Sequence, residues 1–188
     1  MSGRLFLLLG ASGSGKDSLL RYAASQCNDP QRLRVARRAI TRAPSKDEHF
    51  EPITEHTFNR RAAAGAFALW WTANGCGYGV GRCIDGWLAA GCTVLVNGSR
   101  QAFGAARERY PACQGILVDV DEAVLRQRLS DRGRESATAI EQRLQRHREL
   151  AVCQLTHLHV DNNGCLQEAG EQLLDLVDPV RSMAVGCG

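Results

Sequence analysis

Two kinds of apolar pattern alternate along the chain. Nearly continuous apolar runs at Arg4–Leu9, Thr93–Val96 and Gly115–Val120 read as strands buried on both faces, as in a parallel sheet. Elsewhere apolar residues recur three and four apart. Lys16–Cys27 gathers Leu19, Leu20, Ala23 and Ala24 on one side and predicts an amphipathic helix. The segment from Asp121 through Arg132 gathers Val124, Leu125 and Leu129 and predicts another, capped by Asp121. Thr54 predicts an N-cap for a helix through Arg61 that Gly65 ends. Further helices are predicted from Ala139 to about Cys153 and over Leu166–Val177. Strands are predicted at Leu33–Ala39, Phe67–Trp71, Tyr78–Val80 and Leu158–Val160, the second and third flanking the turn ANGCG. This alternation predicts an α/β fold: a largely parallel core sheet with helices on both faces. No repeat or low-complexity linker interrupts it, so residues 1–188 are expected to form a single domain, with the tail after Pro179 loose.

Composition changes this picture little. With 188 residues, 44% hydrophobic and 23% charged, the chain has the make-up of a soluble globular domain with a proper core. No stretch approaches the roughly 20 apolar residues of a membrane span. The run Leu5–Leu9 is too short for the apolar part of a signal peptide and leads into glycines, so it is read as a first strand. The eight cysteines show no C-x-x-C pair and no repeating spacing, which predicts reduced thiols in a cytoplasmic protein. His157 and His159 form the one tight histidine pair and are read as two imidazoles on one face of a strand rather than as a zinc site. A formal charge of +3 is too mild to argue for nucleic acid. Lys16 and Lys46 are the two lysines, so almost all positive charge is arginine. A GC-rich genome accounts for most of it, yet guanidinium groups also bind phosphate in a bidentate way, so arginines near a site become candidates.

Residues 10–18, GASGSGKDS, fit the phosphate-binding pattern G-x-x-x-x-G-K-[ST] at Gly10, Gly15 and Lys16. In such a loop the backbone of Ala11, Ser12, Gly13, Ser14 and Gly15 surrounds phosphate oxygens at a helix N-terminus, and Lys16 neutralises charge on the β and γ phosphates. A strand before it and an amphipathic helix after it make the match specific, and predict a binding site for ATP. Asp17 stands where the pattern has a hydroxyl. A carboxylate in the first turn of a helix is favoured by the helix dipole, but beside a polyphosphate it repels unless a cation intervenes. Mg²⁺ is such a cation and accepts carboxylate ligands. The strand VLVN ends at Asn97, where P-loop enzymes commonly carry a metal-side aspartate. Asp17 is therefore the expected metal contact, with Ser18 as helper.

The region between Val35 and Val80 resembles the acceptor-binding part of guanylate kinases. RRAITRAP at 37–44 is similar to their S-x-T-T-R-x-P segment, and EHTFNRRAAAGAFALWWTANGCGYGV to their E-E-F…G-x-F-L-E…G-x-x-Y-G-T stretch. RLSDRGRES…IEQRL at 128–144 resembles their arginine-bearing lid. The resemblance covers about residues 4–165. It implies a guanylate-kinase-like P-loop fold with a small acceptor-binding insertion at about 37–81 and a lid at about 128–146, and ATP-dependent phosphoryl transfer to a phosphate.

The departures bear on the acceptor. Guanylate kinases read guanine with two carboxylates, and those positions are Leu69 and Ser99 here. A purine donor edge facing no acceptor would lose several kcal/mol, on the order of a buried unpaired polar group. Meanwhile the serine of S-x-T-T-R becomes Arg38 beside Arg37, and Arg100 follows Ser99. This combination of GKD, RR-x-I-T-R, the YG turn and VLVNGSR resembles the ribose 1,5-bisphosphate phosphokinases of bacterial phosphonate catabolism. That resemblance implies a small phosphorylated sugar as substrate, with neither nucleic acid nor membrane as partner, and 5-phosphoribosyl 1-diphosphate and ADP as products. It implies Lys16, Arg132 and Arg143 as catalytic groups, with Arg128 beside them. Arg37, Arg38, Arg42, Tyr78, Ser99 and Arg100 would hold the acceptor, and Trp70 or Trp71 would line its pocket. Asp161–Asn163 would neighbour adenine. Two alternatives stay open on the residues alone: a nucleoside monophosphate kinase, which Leu69 and Ser99 oppose, and a non-catalytic binding module, which Lys16 and the lid arginines oppose.

Overall fold

The computed structural model describes residues 3–27, 29, 31–44, 49–131, 133, 136–151 and 158–178. Its elements, in chain order, are β1 (Arg4–Leu9), α1 (Lys16–Gln26), β2 (Leu33–Ala36), β3 (Arg38–Ile40), β4 (Glu51–Pro52) and α2 (Glu55–Ala63). There follow β5 (Phe67–Ala73), β6 (Cys76–Gly81), α3 (Cys83–Ala89), β7 (Thr93–Asn97), α4 (Arg100–Arg109) and β8 (Gln114–Asp119). The chain continues through α5 (Glu122–Asp131), α6 (Ala137–Ala151), β9 (Leu158–Asp161) and α7 (Leu166–Val177). Two compact units result, Met1–Leu7 with Gln26–Gln114, and Leu8–Ser25 with Gly115–Gly188.

In the first unit, β2, β7 and the start of β1 lie side by side in that order, β2 and β7 parallel with Val35 opposite Leu95. Val94, Leu95 and Val96 are completely buried, as expected of a strand covered on both faces. A second sheet follows the order β4-β3-β6-β5. The sequence pattern predicts one strand over Leu33–Ala39; the chain instead leaves the parallel sheet at Ala36 and enters the second sheet at Arg38. The β5–β6 hairpin turns at Asn74 and Gly75, both at positive φ (50° and 71°), the geometry that Asn-Gly supplies in tight hairpins. The strands extend further than the pattern suggests, to Ala73 and from Cys76. Gly77 and Gly79 leave room on one face of β6 for the rings of Phe58 and Phe67, which would stand 2.9 and 2.5 Å from any Cβ there. With Ala39 those rings form the core of this sheet's helix-covered side. Thr54 does cap α2, its hydroxyl oxygen accepting from the Thr57 N–H at 3.1 Å.

In the second unit, the end of β1 is followed by β8 and β9, these last two parallel. Ala11, Val120, Leu125, Leu129, Ile140 and Leu144 make one buried cluster joining the loop after β1 to α5 and α6. At the exposed side of that helix pair Arg148 binds Glu122 and Glu141, and Arg126 binds the same two carboxylates. The Arg148 hydrogen bonds hold Glu122 below the usual carboxylate range, and those from Arg126 do so for Glu141. At the other end of α1, the Tyr22 hydroxyl donates to Glu171 of α7. Gly170 makes that approach possible, because a Cβ there would meet the Tyr22 ring at 2.2 Å. Asp121 begins α5 through its carbonyl, which accepts from the Leu125 N–H at 2.9 Å.

Candidate active site

The loop from Gly10 to Gly15 leaves a strand buried from Leu5 to Leu9 and enters α1 directly. Gly10, Gly13 and Gly15 all take positive φ, so the two glycines of the pattern and a third between them are required by the backbone itself. Lys16, 9% exposed, folds back across the loop. Its Nζ donates to the carbonyl oxygens of Gly10 at 2.9 Å and Ala11 at 2.7 Å, and to Ser14 Oγ at 3.4 Å. A buried ammonium needs such acceptors.

Two of the three expected lid arginines converge on this loop. The Arg143 guanidinium donates from α6 to Ser12 Oγ. Arg128 Nη1 would stand 3.9 Å from a Cβ on Gly15. Arg132, like His157, lies outside the described residues. The second unit thus assembles Lys16, Arg128 and Arg143 around residues 12–16.

Asp17 sits half-buried in the first turn of α1, and Ser18 Oγ accepts from Arg21 at 3.4 Å. Among the described residues no group of three or more His, Cys, Asp or Glu side chains is placed to hold a metal. Magnesium in phosphoryl-transfer sites is held by one or two carboxylates together with substrate phosphates, and Asp17 offers one carboxylate in the turn that follows the loop.

The acceptor candidates belong to the first unit. Two of their arginines rest on aromatic rings. Arg42 lies over Phe50, 4.6 Å from its centroid, while Arg37 donates to the Phe50 carbonyl at 2.9 Å. Arg38 lies 5.8 Å over Tyr78, which is itself stacked on Trp71 at 5.3 Å with the planes 5° apart. Ordering an arginine costs up to about 2 kcal/mol of side-chain entropy, and a stacked guanidinium recovers about 1 kcal/mol, so each ring offsets much of that cost. Trp71 is 3% exposed and packs inside, whereas Trp70 is 52% exposed and meets Phe58 edge-on at 6.1 Å. Thr41 ties β3 to β6, its hydroxyl accepting from the Gly77 N–H at 2.8 Å.

Arg37 has acidic company. Glu51 is bound in bidentate fashion by Arg61 at 2.8 and 3.0 Å. The Arg61 hydrogen bonds keep its carboxyl below the usual range against the effect of burial, and the charges of Arg61 and Arg37 add to this. Ser99 caps α4, its hydroxyl oxygen accepting from the Ala102 N–H at 3.1 Å, and Arg100 is exposed at the first position of that helix. Gly98 before it is fixed by packing, since a Cβ there would press on Leu7 at 2.9 Å. Asn97, at the end of β7, is buried.

Sequence reasoning passes over Phe50 and gives Asn162 only a place near adenine. Phe50 offers a ring to one arginine and a carbonyl to another. Asn162 is 3% exposed and donates from Nδ2 to the Ser14 carbonyl at 2.6 Å, across 148 positions of sequence. Nothing in the polar run Asp161–Asn163 marks the middle residue as the one that turns inward.

No family model matches the chain. Curated relatives do. A ribose 1,5-bisphosphate phosphokinase of Achromobacter xylosoxidans is 45% identical over 92% of this chain and 91% of its own length. Those of Pseudomonas fluorescens and Azotobacter vinelandii are 46% and 44% identical, over 95% and 94% of this chain and 96% and 97% of theirs. Among solved structures, guanylate kinase from Anaplasma phagocytophilum superposes with a TM-score of 0.70 over 95% of this chain and 86% of its own, at 18% identity. That likeness shows the fold, a guanylate-kinase-like P-loop α/β architecture.

Proposed function

Because the chain belongs to the ribose 1,5-bisphosphate phosphokinase family, we propose that it divides one reaction between the donor loop and the arginines seated on aromatic rings. The reaction is transfer of the γ-phosphoryl of ATP to the 1-phosphate of ribose 1,5-bisphosphate, giving 5-phosphoribosyl 1-diphosphate and ADP in phosphonate degradation. The bond from Pγ to the β–γ bridging oxygen breaks, and a bond from Pγ to a 1-phosphate oxygen forms. That oxygen is already anionic at neutral pH, so the protein needs no general base. Its task is positioning and charge neutralisation.

Lys16 and the N–H groups of residues 11–15 bind the donor phosphates, the ammonium exchanging the loop carbonyls for phosphate oxygens. Arg143 and Arg128, with Arg132, neutralise charge on the phosphoryl in transit. Asp17, with Ser18 as helper, would hold magnesium, which would supply further neutralisation of phosphate charge. Arg42 and Arg38 bind acceptor phosphate, Phe50 and the Tyr78–Trp71 stack orienting them, and Arg37, Ser99 and Arg100 extend the phosphate-binding surface.

The observation that carries the acceptor assignment is a substitution of chemistry. Leu69 of β5, 3% exposed, stands where a guanine-reading carboxylate would be needed, while Arg38 stands on β3 of the same sheet. An apolar side chain leaves a guanine edge unpaired, and guanidinium groups favour phosphate. Replacing Arg42 with Ala is expected to raise the KM for ribose 1,5-bisphosphate about 10- to 100-fold with the KM for ATP unchanged, the worth of a charged hydrogen bond. Steady-state kinetics with each substrate varied in turn decides this, and a rise in the ATP KM alone would move Arg42 to the donor side. Asp17→Ser is expected to raise the magnesium concentration needed for half-maximal turnover. Unchanged magnesium dependence and turnover would remove Asp17 from the metal site.

A further inference from the structure

Asn162 follows β9 directly, and both it and its neighbour are anchored to the turn between β8 and α5. Its N–H donates to the Asp119 carbonyl at 2.9 Å, and Asn163 Oδ1 accepts from the Asp121 N–H at 2.7 Å. The side chain is thereby delivered, almost fully buried, beneath the donor loop, where Nδ2 donates to the Ser14 carbonyl at 2.6 Å. Ser14 C=O and Gly15 N–H belong to one planar trans peptide and point in opposite directions. Fixing the carbonyl toward Asn162 therefore fixes the Gly15 N–H toward the opposite side, where the loop's amides bind anions. Glycine is required for so close an approach, because a Cβ at position 15 would stand 2.3 Å from Asn162 Nδ2.

We infer that Asn162 is a positioning residue for phosphoryl-donor binding, holding the Ser14–Gly15 peptide in its anion-binding orientation through the Nδ2 hydrogen bond to the Ser14 carbonyl. The inference rests on the reading of this loop as the ATP site. It is independent of which acceptor is used.

The test is calorimetric titration of the purified full chain and its Asn162→Ala and Asn162→Asp variants with ADP and magnesium, over a range of pH and without acceptor. Asn162→Ala is expected to weaken ADP binding about tenfold, the worth of one buried hydrogen bond, equally at all pH. Asn162→Asp is expected to bind more weakly still when its carboxylate is ionised and opposes the Ser14 oxygen. Its affinity relative to Asn162→Ala should recover as pH falls and the carboxyl, once protonated, can donate to that oxygen. A merely structural role would weaken both variants without this recovery. Wild-type affinity in Asn162→Ala, or parallel pH profiles for the two variants, would overturn the inference. Failure of the unsubstituted chain to bind ADP would overturn the donor-site reading and the inference with it.

Discussion

Replacing Lys16 with Met is expected to lower kcat about a thousandfold, the upper range for loss of one preorganised electrostatic donor. Met keeps the length of the stem and removes only the charge and its hydrogen bonds. The Lys16 ammonium satisfies the carbonyls of Gly10 and Ala11. The variant leaves both without that donor, which costs about 1–3 kcal/mol of stability if no water replaces it. The two effects separate experimentally: thermal melting reports the folded fraction, and kcat per folded enzyme reports the chemistry. A kcat within tenfold of wild type would show that the backbone amides and metal carry the donor phosphates without Lys16.

Arg143→Ala is expected to lower kcat about a hundredfold with the KM for ATP changed only slightly. The asymmetry follows from timing, since charge on the transferring phosphoryl peaks between donor and acceptor. The helix that carries Arg143 does not depend on it. Ile140 and Leu144 of α6 are buried against Leu125 and Leu129 of α5, and this apolar seam holds α6 in place. The exposed ion pairs of Arg126 and Arg148 with Glu122 and Glu141 add little to it. Arg143→Lys should fall between the two, because it keeps the charge but loses the planar fork. Equal losses in kcat and ATP affinity would instead make Arg143 a ground-state ligand of the nucleotide.

How well the chain could be read depended on how local each signal was. The donor loop was legible because its pattern is contiguous, and the strand before it and helix after it fall where the sequence places them. Leu166–Val177 was legible for the same reason, its apolar stripe being complete within the segment. The passage from Leu33 to Ile40 was not, because LRVARRAI reads as one strand whichever sheets its halves join. The partners that separate them, Val94–Val96 and Tyr78–Val80, lie far along the chain. The helices at Cys83–Ala89 and Arg100–Arg109 were missed where short length, Gly86 and Gly104 weaken the apolar stripe. Ser99 reads from the sequence as a substrate contact, and only the fold shows its hydroxyl capping α4.

In the site itself, charged residues were easier to recognise than the groups that position them. Arg38 stands out as a substitution and Arg42 as a match within a recognisable segment, but Phe50, Trp71 and Asn162 act through contacts that only the fold creates. A tryptophan pair in a strand announces that one ring faces inward. Only the pairing of Trp71 with Tyr78 shows which.

The most direct test of the acceptor assignment is product analysis with Mg-ATP and, in separate reactions, ribose 1,5-bisphosphate and GMP. ADP and 5-phosphoribosyl 1-diphosphate are expected from the sugar, with GMP inert because Leu69 and Ser99 leave the base unread. Turnover of GMP with the sugar bisphosphate inert would contradict that assignment and make Arg38 and Arg42 readers of a nucleotide's phosphate instead.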